Sequence, residues 1–295
     1  MTNFTAITKT ESRIPSRLPE RMGNAVTWAA LAVFAAIVVA PLVFMLGASL
    51  MDSIEIMTMP YRWIPSKIKW ANYARAVAGN DGSFVFPRNI ANSVIVSGTI
   101  TVTTVFLSAM VGYGLAKFRF KGKNIAFLAI MATMMIPFET IMIPVYLVTL
   151  NLGLQDSYGG LIVPFMLNAF AVFQMRQYLQ TFPDEILDAA RIDGTSEPSI
   201  FARIILPNSG PVIATVAVLT FRQQWDNLLW PLLITQREEM KTIPAYIVKF
   251  AAEKYADEGA MMAVAVIASV PVIALFLALS KYFVGGSAMY AAGKE

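Results

Sequence analysis

The chain has 295 residues, of which 57% are hydrophobic and only 14% are charged. Soluble domains carry about a quarter charged residues, so this composition is typical of an integral membrane protein. Cysteine and histidine are both absent, which excludes disulfides, Cys/His zinc sites and any catalysis that needs either side chain. The net charge is +4 without a long basic tract, so nucleic acid is not an expected partner.

A polar amino-terminal segment, residues 1–24, precedes the first predicted membrane span, residues 25–50. This apolar run is long enough to cross a hydrocarbon core about 30 Å thick. It is longer than the apolar core of a cleavable signal peptide, so we expect it to be retained. Residues 51–89 follow as an amphipathic external segment whose tryptophans suit a membrane interface. A second span is predicted over residues 90–116.

The orientation of the chain is predicted from the connection after the second span. Residues 117–123 contain four cations, and by the positive-inside tendency this connection is cytoplasmic. A third span, predicted over residues 125–147, contains Pro137 and Pro144. The outer connection that follows, residues 151–158, has neither lysine nor arginine, which agrees with this orientation.

Three more spans are predicted, over residues 160–180, 209–233 and 260–283. The last two are separated by a charged external loop, residues 234–258. Six spans place both termini in the cytoplasm and leave a short tail, residues 285–295. The predicted fold is therefore an all-α integral membrane protein with six transmembrane helices, in a single membrane domain that covers residues 25–284.

A charged island, residues 182–207, lies between the fourth and fifth spans. Pro183 suits the first turn of a helix, and Gly194 predicts the end of that helix because glycine adopts the left-handed conformation easily. Thr195 or Ser196 can cap a second helix. The two helices are too short and too charged to cross a bilayer. The island is therefore predicted to be a cytoplasmic helix-turn-helix that docks another protein, and it is called the docking hairpin below.

The docking hairpin resembles the EAA motif of the membrane subunits of binding-protein-dependent ABC importers. The residues that carry the resemblance are Asp188, Ala189, Ala190, Asp193, Gly194, Phe201, Ile204, Leu206 and Pro207. In that family the motif forms coupling helices that sit in a cleft of the ATPase subunit. Asp188 stands where the family usually has glutamate, which keeps the charge but shortens its reach. The alternative is an ordinary amphipathic hairpin that caps a helical bundle.

The docking hairpin carries more acids than cations, so its surface is expected to be acidic and to fit a cleft that contains arginine or lysine. Glu185 and Asp188 are expected to share the exposed side, while Ile186 and Ala190 face elsewhere. If the acids are not the contact, the apolar candidates are Ile186, Leu187 and Phe201.

Ionisable residues inside the predicted spans are few and are candidates for a substrate path. The candidates are Glu139 in the third span and Arg222, Gln223, Trp225, Asp226 and Asn227 in the fifth. Arg222 and Asp226 are four residues apart and can form an ion pair. Amides and charges bind sugar hydroxyls and flat rings stack on sugar C–H faces, for which Trp225 and Trp230 are candidates. The alternative for Arg222 and Asp226 is that the two charges only neutralise each other within the helix bundle. The alternative for Glu139 is that its carboxylate only accepts hydrogen bonds from backbone groups that the prolines leave unpaired.

Residues 225–232 resemble a stretch of the carbohydrate, maltose-permease-like branch of the same family, as do Thr242, Pro244 and the last span. This resemblance implies the type I ABC importer permease fold. It also implies that the loop before the last span, from residue 236, reaches into a binding protein. The implied function is translocation of a carbohydrate or oligosaccharide across the bacterial inner membrane.

The resemblance also implies the partners. The sequence has no Walker A pattern and no G-x-G-x-x-G, so ATP and Mg²⁺ are expected in a separate dimer of ATP-binding subunits. This chain is expected to have no catalytic residue and to bind no cofactor or metal itself. A second permease subunit forming a heterodimer, a periplasmic solute-binding protein and membrane lipid complete the expected partners.

Three alternatives to this function remain. The substrate of such an importer could be glycerol phosphate or another polyol. An ion-coupled secondary transporter would have to place its coupling site on Glu139, Arg222 and Asp226. A passive channel or a structural membrane protein would not need the docking hairpin.

Overall fold

The computed structural model describes the backbone of residues 17–79, 82–252 and 257–292, and the side chains of residues 24–79, 82–248 and 257–282. Within these ranges the chain is helical and contains no strand. The α-helices, numbered in chain order, are α1 (Arg17–Ala48), α2 (Ser53–Met57), α3 (Ala71–Ala78), α4 (Phe86–Lys117), α5 (Lys123–Thr133), α6 (Phe138–Asn151), α7 (Tyr158–Ile162), α8 (Ala169–Gln180), α9 (Asp184–Ile192), α10 (Glu197–Ile200), α11 (Leu206–Asn208), α12 (Gly210–Trp225), α13 (Leu229–Ile234), α14 (Ile243–Ala252) and α15 (Glu258–Ala292).

Six segments can cross a membrane, but only three of them are single helices. Helices α1, α4 and α15 are each long and apolar enough by themselves. The other three are bent pairs, in which two shorter helices meet at an angle. The angle is 95° between α5 and α6, 45° between residues 158–165 and α8, and 78° between residues 197–208 and α12. The predicted all-α architecture with six spans is confirmed when each bent pair is counted as one span.

The predicted third span is a bent pair of helices, because the chain turns between Thr133 and Phe138. Pro137 occupies the N-cap position of α6 with an extended ψ of 136°. Proline has no N–H and disfavours the helical conformation of the residue before it, so it separates two helices at this point. Pro144 lies inside α6 and does not end that helix.

The helices do not begin and end at several of the predicted boundaries. The external segment predicted over residues 51–89 ends earlier, because α4 begins at Phe86 with a proline in its first turn, where a missing N–H is tolerated. The loop predicted over residues 234–258 contains α14. The predicted tail, residues 285–295, continues α15 as far as Ala292. Residues 1–16 of the predicted amino-terminal segment lie outside the described residues.

The carboxyl-terminal half of helix α4 packs closely against α8. Its Gly112 lies so close to α8 that an added Cβ would be 2.7 Å from Cβ of Met175 and 3.0 Å from N of Arg176. A single buried cluster then continues from α4 and α8 into the docking hairpin and α12, and it includes Tyr113 and Leu187. The docking hairpin is therefore built on the hydrophobic core of the bundle.

Candidate functional site

The corner of the docking hairpin has the conformation that the sequence predicts. Gly194 has a φ of +75°, which confirms the left-handed backbone, and its N–H donates to the carbonyl of Arg191 at 3.0 Å. The next N–H, of Thr195, donates to the carbonyl of Ala190 at 3.0 Å. These bonds satisfy the last carbonyls of α9. No atom lies within 4 Å of a Cβ built on Gly194, so only the backbone conformation disfavours a larger residue.

The second arm of the hairpin is one helical stretch, residues 197–208, whose middle is a π-helix over Phe201–Ile205. Ser196 occupies its N-cap position but makes no side-chain capping bond. Ser196 is therefore the N-cap residue by position, as expected, but its hydroxyl does not bond to the helix end.

The faces of α9 differ in part from the prediction. Leu187 and Ala190, three residues apart, pack into the core and set the buried face. Glu185 and Asp188 are exposed as expected. Ile186, which was expected to face away from the exposed side, is itself exposed, and Ile192 is 86% exposed.

The other motif residues divide between surface and core. Ala189, Asp193 and Pro207 are exposed, and Leu206 is half-buried. Leu187 and Phe201 are buried in the core cluster, so neither can be the apolar contact that the sequence suggested. The exposed apolar candidates on α9 are instead Ile186 and Ile192.

Most acids of the hairpin are already paired within the chain. Lys117 donates from Nζ to Oδ1 of Asp184 at 2.6 Å, which holds the pKa of Asp184 below its ordinary value. Arg191 donates from Nη1 to Oδ1 of Asp188 at 2.9 Å and from Nε to Oε1 of Glu197 at 2.7 Å. The bond to Glu197 is the main cause that raises the pKa of Arg191. The surface is therefore less acidic than the composition suggests.

Sequence reasoning missed the residue that joins this ion-pair group to the bundle. Tyr113 of α4 donates its hydroxyl to Oε2 of Glu197 at 2.7 Å, so both carboxylate oxygens of Glu197 are used. The two residues are 84 positions apart, and no local spacing could have indicated the contact.

The fifth span carries the predicted ion pair on an exposed face. Nε of Arg222 lies 3.5 Å from Oδ2 of Asp226, and the two side chains are 70% and 58% exposed. Arg222 lies in the last turn of α12 and Asp226 is the C-cap residue of that helix, shortly before the apolar helix α13. Gln223 is exposed beside the pair. Charged side chains between apolar helices face water or protein rather than lipid, so we expect this face to adjoin a cavity or another subunit.

The tryptophans of the predicted path are not available for stacking. Trp225 is only 4% exposed and stacks on Phe221 with ring centroids 5.5 Å apart. Trp230 is fully buried and donates from Nε1 to the carbonyl of Gly160 at 2.9 Å. Asn227 accepts from the N–H of Trp230 at 3.4 Å and so helps to start α13. The expectation that these rings face a substrate path is wrong, because the core uses them.

Glu139 lies in the first turn of α6, directly after the 95° bend, and is exposed. Within the described ranges its carboxylate has no hydrogen-bond partner, so it does not satisfy the backbone of the bend. Its neighbour Phe138 packs edge-on against Trp230 with ring centroids 5.8 Å apart. The bend therefore touches the junction between α12 and α13. In the part of the chain that the structure describes, no cluster of three or more acids is placed to hold a metal ion.

Comparisons with known proteins agree with this geometry. Residues 104–286 match the family described as "Binding-protein-dependent transport system inner membrane component". The arabinooligosaccharides transport system permease protein AraQ of Bacillus subtilis is 39% identical over 207 residues, which cover 70% of this chain and 73% of the relative. The sn-glycerol-3-phosphate transport system permease protein UgpE of Yersinia enterocolitica is 35% identical over 251 residues, which cover 83% of this chain and 89% of the relative.

Among solved structures, a chain of a bacterial ABC transporter involved in the import of the acidic polysaccharide alginate superposes with a TM-score of 0.77. The likeness covers 92% of this chain and all of that one, at 24% identity. At that identity the likeness shows a shared fold.

Proposed function

Because this chain belongs to the family of binding-protein-dependent transport system inner membrane components, we propose that it forms one half of the path by which an ABC importer carries an oligosaccharide into the cell. The chain is a multi-pass inner-membrane permease subunit of such an importer and not an enzyme; ATP hydrolysis belongs to a separate subunit. A solute-binding protein and an ATPase are therefore its partners.

The observation that carries this proposal is the exposed face of α9. Ile186 and Ile192 are large apolar side chains exposed beside Glu185 and Asp188 on a helix that the core anchors from behind. Large apolar side chains exposed among charged ones suit a protein partner better than water. Docking of the ATPase on this face turns ATP-driven closure of the ATPase dimer into motion of the hairpin. The motion opens the path towards the binding protein.

The test is copurification of the ATPase with this chain from membranes in which all importer subunits are produced together. Ile192→Asp should reduce the recovered ATPase at least several-fold, since it places a charge in the centre of the apolar contact. Ile54→Asp, which changes an isoleucine that is also highly exposed but lies on α2, is the matched control and should leave recovery unchanged. Full recovery of the ATPase with Ile192→Asp would contradict docking on this face.

We propose a carbohydrate as the substrate, and a phosphorylated polyol as the second candidate because of the similarity to the sn-glycerol-3-phosphate permease. The exposed charges of the fifth span favour the carbohydrate. Arg222 is paired with Asp226, so the face is neutral in sum and has no free cation to neutralise a phosphate. Uptake of labelled arabinooligosaccharides and of sn-glycerol-3-phosphate into reconstituted vesicles, with the binding protein present, distinguishes the two substrates.

We further propose that the second half of the path is a different permease subunit, that both termini are cytoplasmic and that the hairpin lies on the cytoplasmic side. The exposed charged face of α12 supports a second subunit, since a lone chain would present it to lipid. The basic connection after α4 supports the orientation, and Lys117 there contacts the hairpin directly. Cysteine accessibility from either side of the membrane tests the orientation, because the chain has no cysteine of its own.

A further inference from the structure

Two side chains of α4, Tyr113 and Lys117, fix the docking hairpin to the last turns of that helix. Tyr113 donates to Glu197 in the second arm, and Lys117, one turn later, donates to Asp184 in the first arm and to the carbonyl of Phe182 at 2.5 Å. One helix end therefore holds both arms of the hairpin.

A third side chain, Arg191, links the two arms of the hairpin. Arg191 of α9 is bound to Asp188 on its own helix and to Glu197 on α10, across the corner at Gly194. Glu197 is thus bound at one oxygen by the first arm and at the other by α4. Among the described side chains of the hairpin, no other carboxylate of the second arm contacts both the first arm and α4.

These contacts are not needed to attach the hairpin. Leu187, Ile200 and Ile205 are fully buried in the same core cluster as Tyr113, and this apolar packing holds the hairpin against the bundle. Apolar packing is not directional, whereas a carboxylate held by a guanidinium and a phenol fixes angles. The polar contacts therefore set the orientation of the hairpin relative to α4.

We propose that Glu197 is a positioning residue that transmits motion of the docked hairpin to α4. This inference rests on the function proposed above. In this arrangement the exposed face of α9 binds the ATPase, while Glu197, turned towards Tyr113, carries the displacement into α4. Loss of the contact leaves the ATPase bound but lets the hairpin turn without moving the helix. ATP hydrolysis is then uncoupled from import.

The experiment compares Glu197→Leu and Tyr113→Phe in the complete importer, reconstituted in vesicles with binding protein. Both substitutions remove the contact between these two side chains, and the second leaves the bond between Arg191 and Glu197 intact. We expect ATPase recovery to stay at the wild-type level while the ATP hydrolysed per substrate imported rises about tenfold, the lower end of the factor for one lost hydrogen bond to a charged group. The double variant should add little to Glu197→Leu, because Tyr113→Phe then removes a contact that is already lost.

The matched control is Tyr158→Phe, which removes a hydroxyl bond of the same length, 2.7 Å, from Tyr158 to Asn92 of α4. It should leave the ratio of ATP to substrate unchanged. An unchanged ratio in both test variants, or loss of the bound ATPase in both, would overturn the proposal. Absence of ATP-dependent uptake by the wild-type assembly would instead overturn the proposed function, so the two failures are distinguishable.

Discussion

Arg75 donates from Nε to Oδ2 of Asp257 at 2.6 Å, which ties helix α3 of the external segment to the start of the last span. Oδ1 of Asp257 accepts from the N–H of Ala260 at 3.0 Å and from Oγ of Ser53 at 3.3 Å. Three elements, α2, α3 and the start of α15, therefore meet at one carboxylate. Burial alone would raise the pKa of Asp257, but the bonds from Arg75 and Ala260 outweigh it and hold the pKa below 3.8.

The first prediction is an acid-dependent loss of stability at this carboxylate. The pKa of Asp257 is lower in the folded protein than its ordinary value of 3.8. Its contribution to the free energy of unfolding is therefore complete above pH 3.8, and it is lost as the pH falls through the pKa of the folded protein. Thermal unfolding in detergent, measured from about pH 6 to about pH 3, should show a steeper loss of stability for the wild type than for Asp257→Asn. Asp193→Asn, at an exposed acid of the hairpin corner, is the control and should follow the wild type. Parallel curves for Asp257→Asn and the wild type would exclude the role of this contact.

The second prediction concerns the corner of the docking hairpin. Gly194→Val forces a β-branched residue into a φ of +75°, which costs about 1–3 kcal/mol of backbone strain. Asparagine adopts this left-handed conformation more easily, so Gly194→Asn should cost less. ATPase recovery should fall for valine and be nearly normal for asparagine, with membrane insertion intact in both. Gly114→Ala, on α4 with open space around the added carbon, is the neutral control. Equal recovery for valine and asparagine would show that the corner conformation does not matter for docking.

The third prediction concerns the pair on α12. An exposed ion pair at 3.5 Å contributes at most about 0.5 kcal/mol, so Arg222→Gln and Asp226→Asn should each leave the folded yield nearly unchanged. Uptake should nevertheless fall in each, because each change removes a charged group that can bind sugar hydroxyls on this face. In the double variant uptake should stay low or change its specificity. Complete recovery of wild-type uptake would favour a purely structural pair.

The fourth prediction concerns Asp188. Asp188→Lys places a second cation beside Arg191, which keeps its bond to Glu197, and reverses the charge on the exposed face of α9. ATP hydrolysis stimulated by binding protein and substrate should fall sharply in reconstituted vesicles, and reversing a cation of the ATPase cleft should partly restore it. If stimulation is complete with Asp188→Lys, the contact is apolar, and Ile186 and Ile192 carry it.

Local features could be predicted from the sequence because they depend on neighbouring residues. The left-handed corner follows from Gly194 itself, and the pair of Arg222 with Asp226 follows from helical spacing. Which proline bends the third span could not be predicted in the same way. Pro137 and Pro144 have the same local signature, yet one precedes the first turn of α6 and the other lies inside that helix.

Features that depend on residues distant in the sequence could not be predicted. Trp225 and Gln223 lie two residues apart on one helix, and only the packing of Phe221 and the bundle decides that the ring is buried and the amide exposed. The bond of Tyr113 to Glu197 likewise exists only once α4 and the hairpin have come together.

The bend between α5 and α6 also bears on how the chain enters the bilayer. At 1.5 Å per residue the two helices are about 16 Å and 21 Å long, so neither crosses a hydrocarbon core of about 30 Å alone. The aromatic contacts that cover the bend join Phe138 to Phe165 and to Trp230, both of which are synthesised later. Pro137 can therefore bend this segment as soon as it is synthesised, but the aromatic rings that cover the bend reach it only after the fifth span has followed.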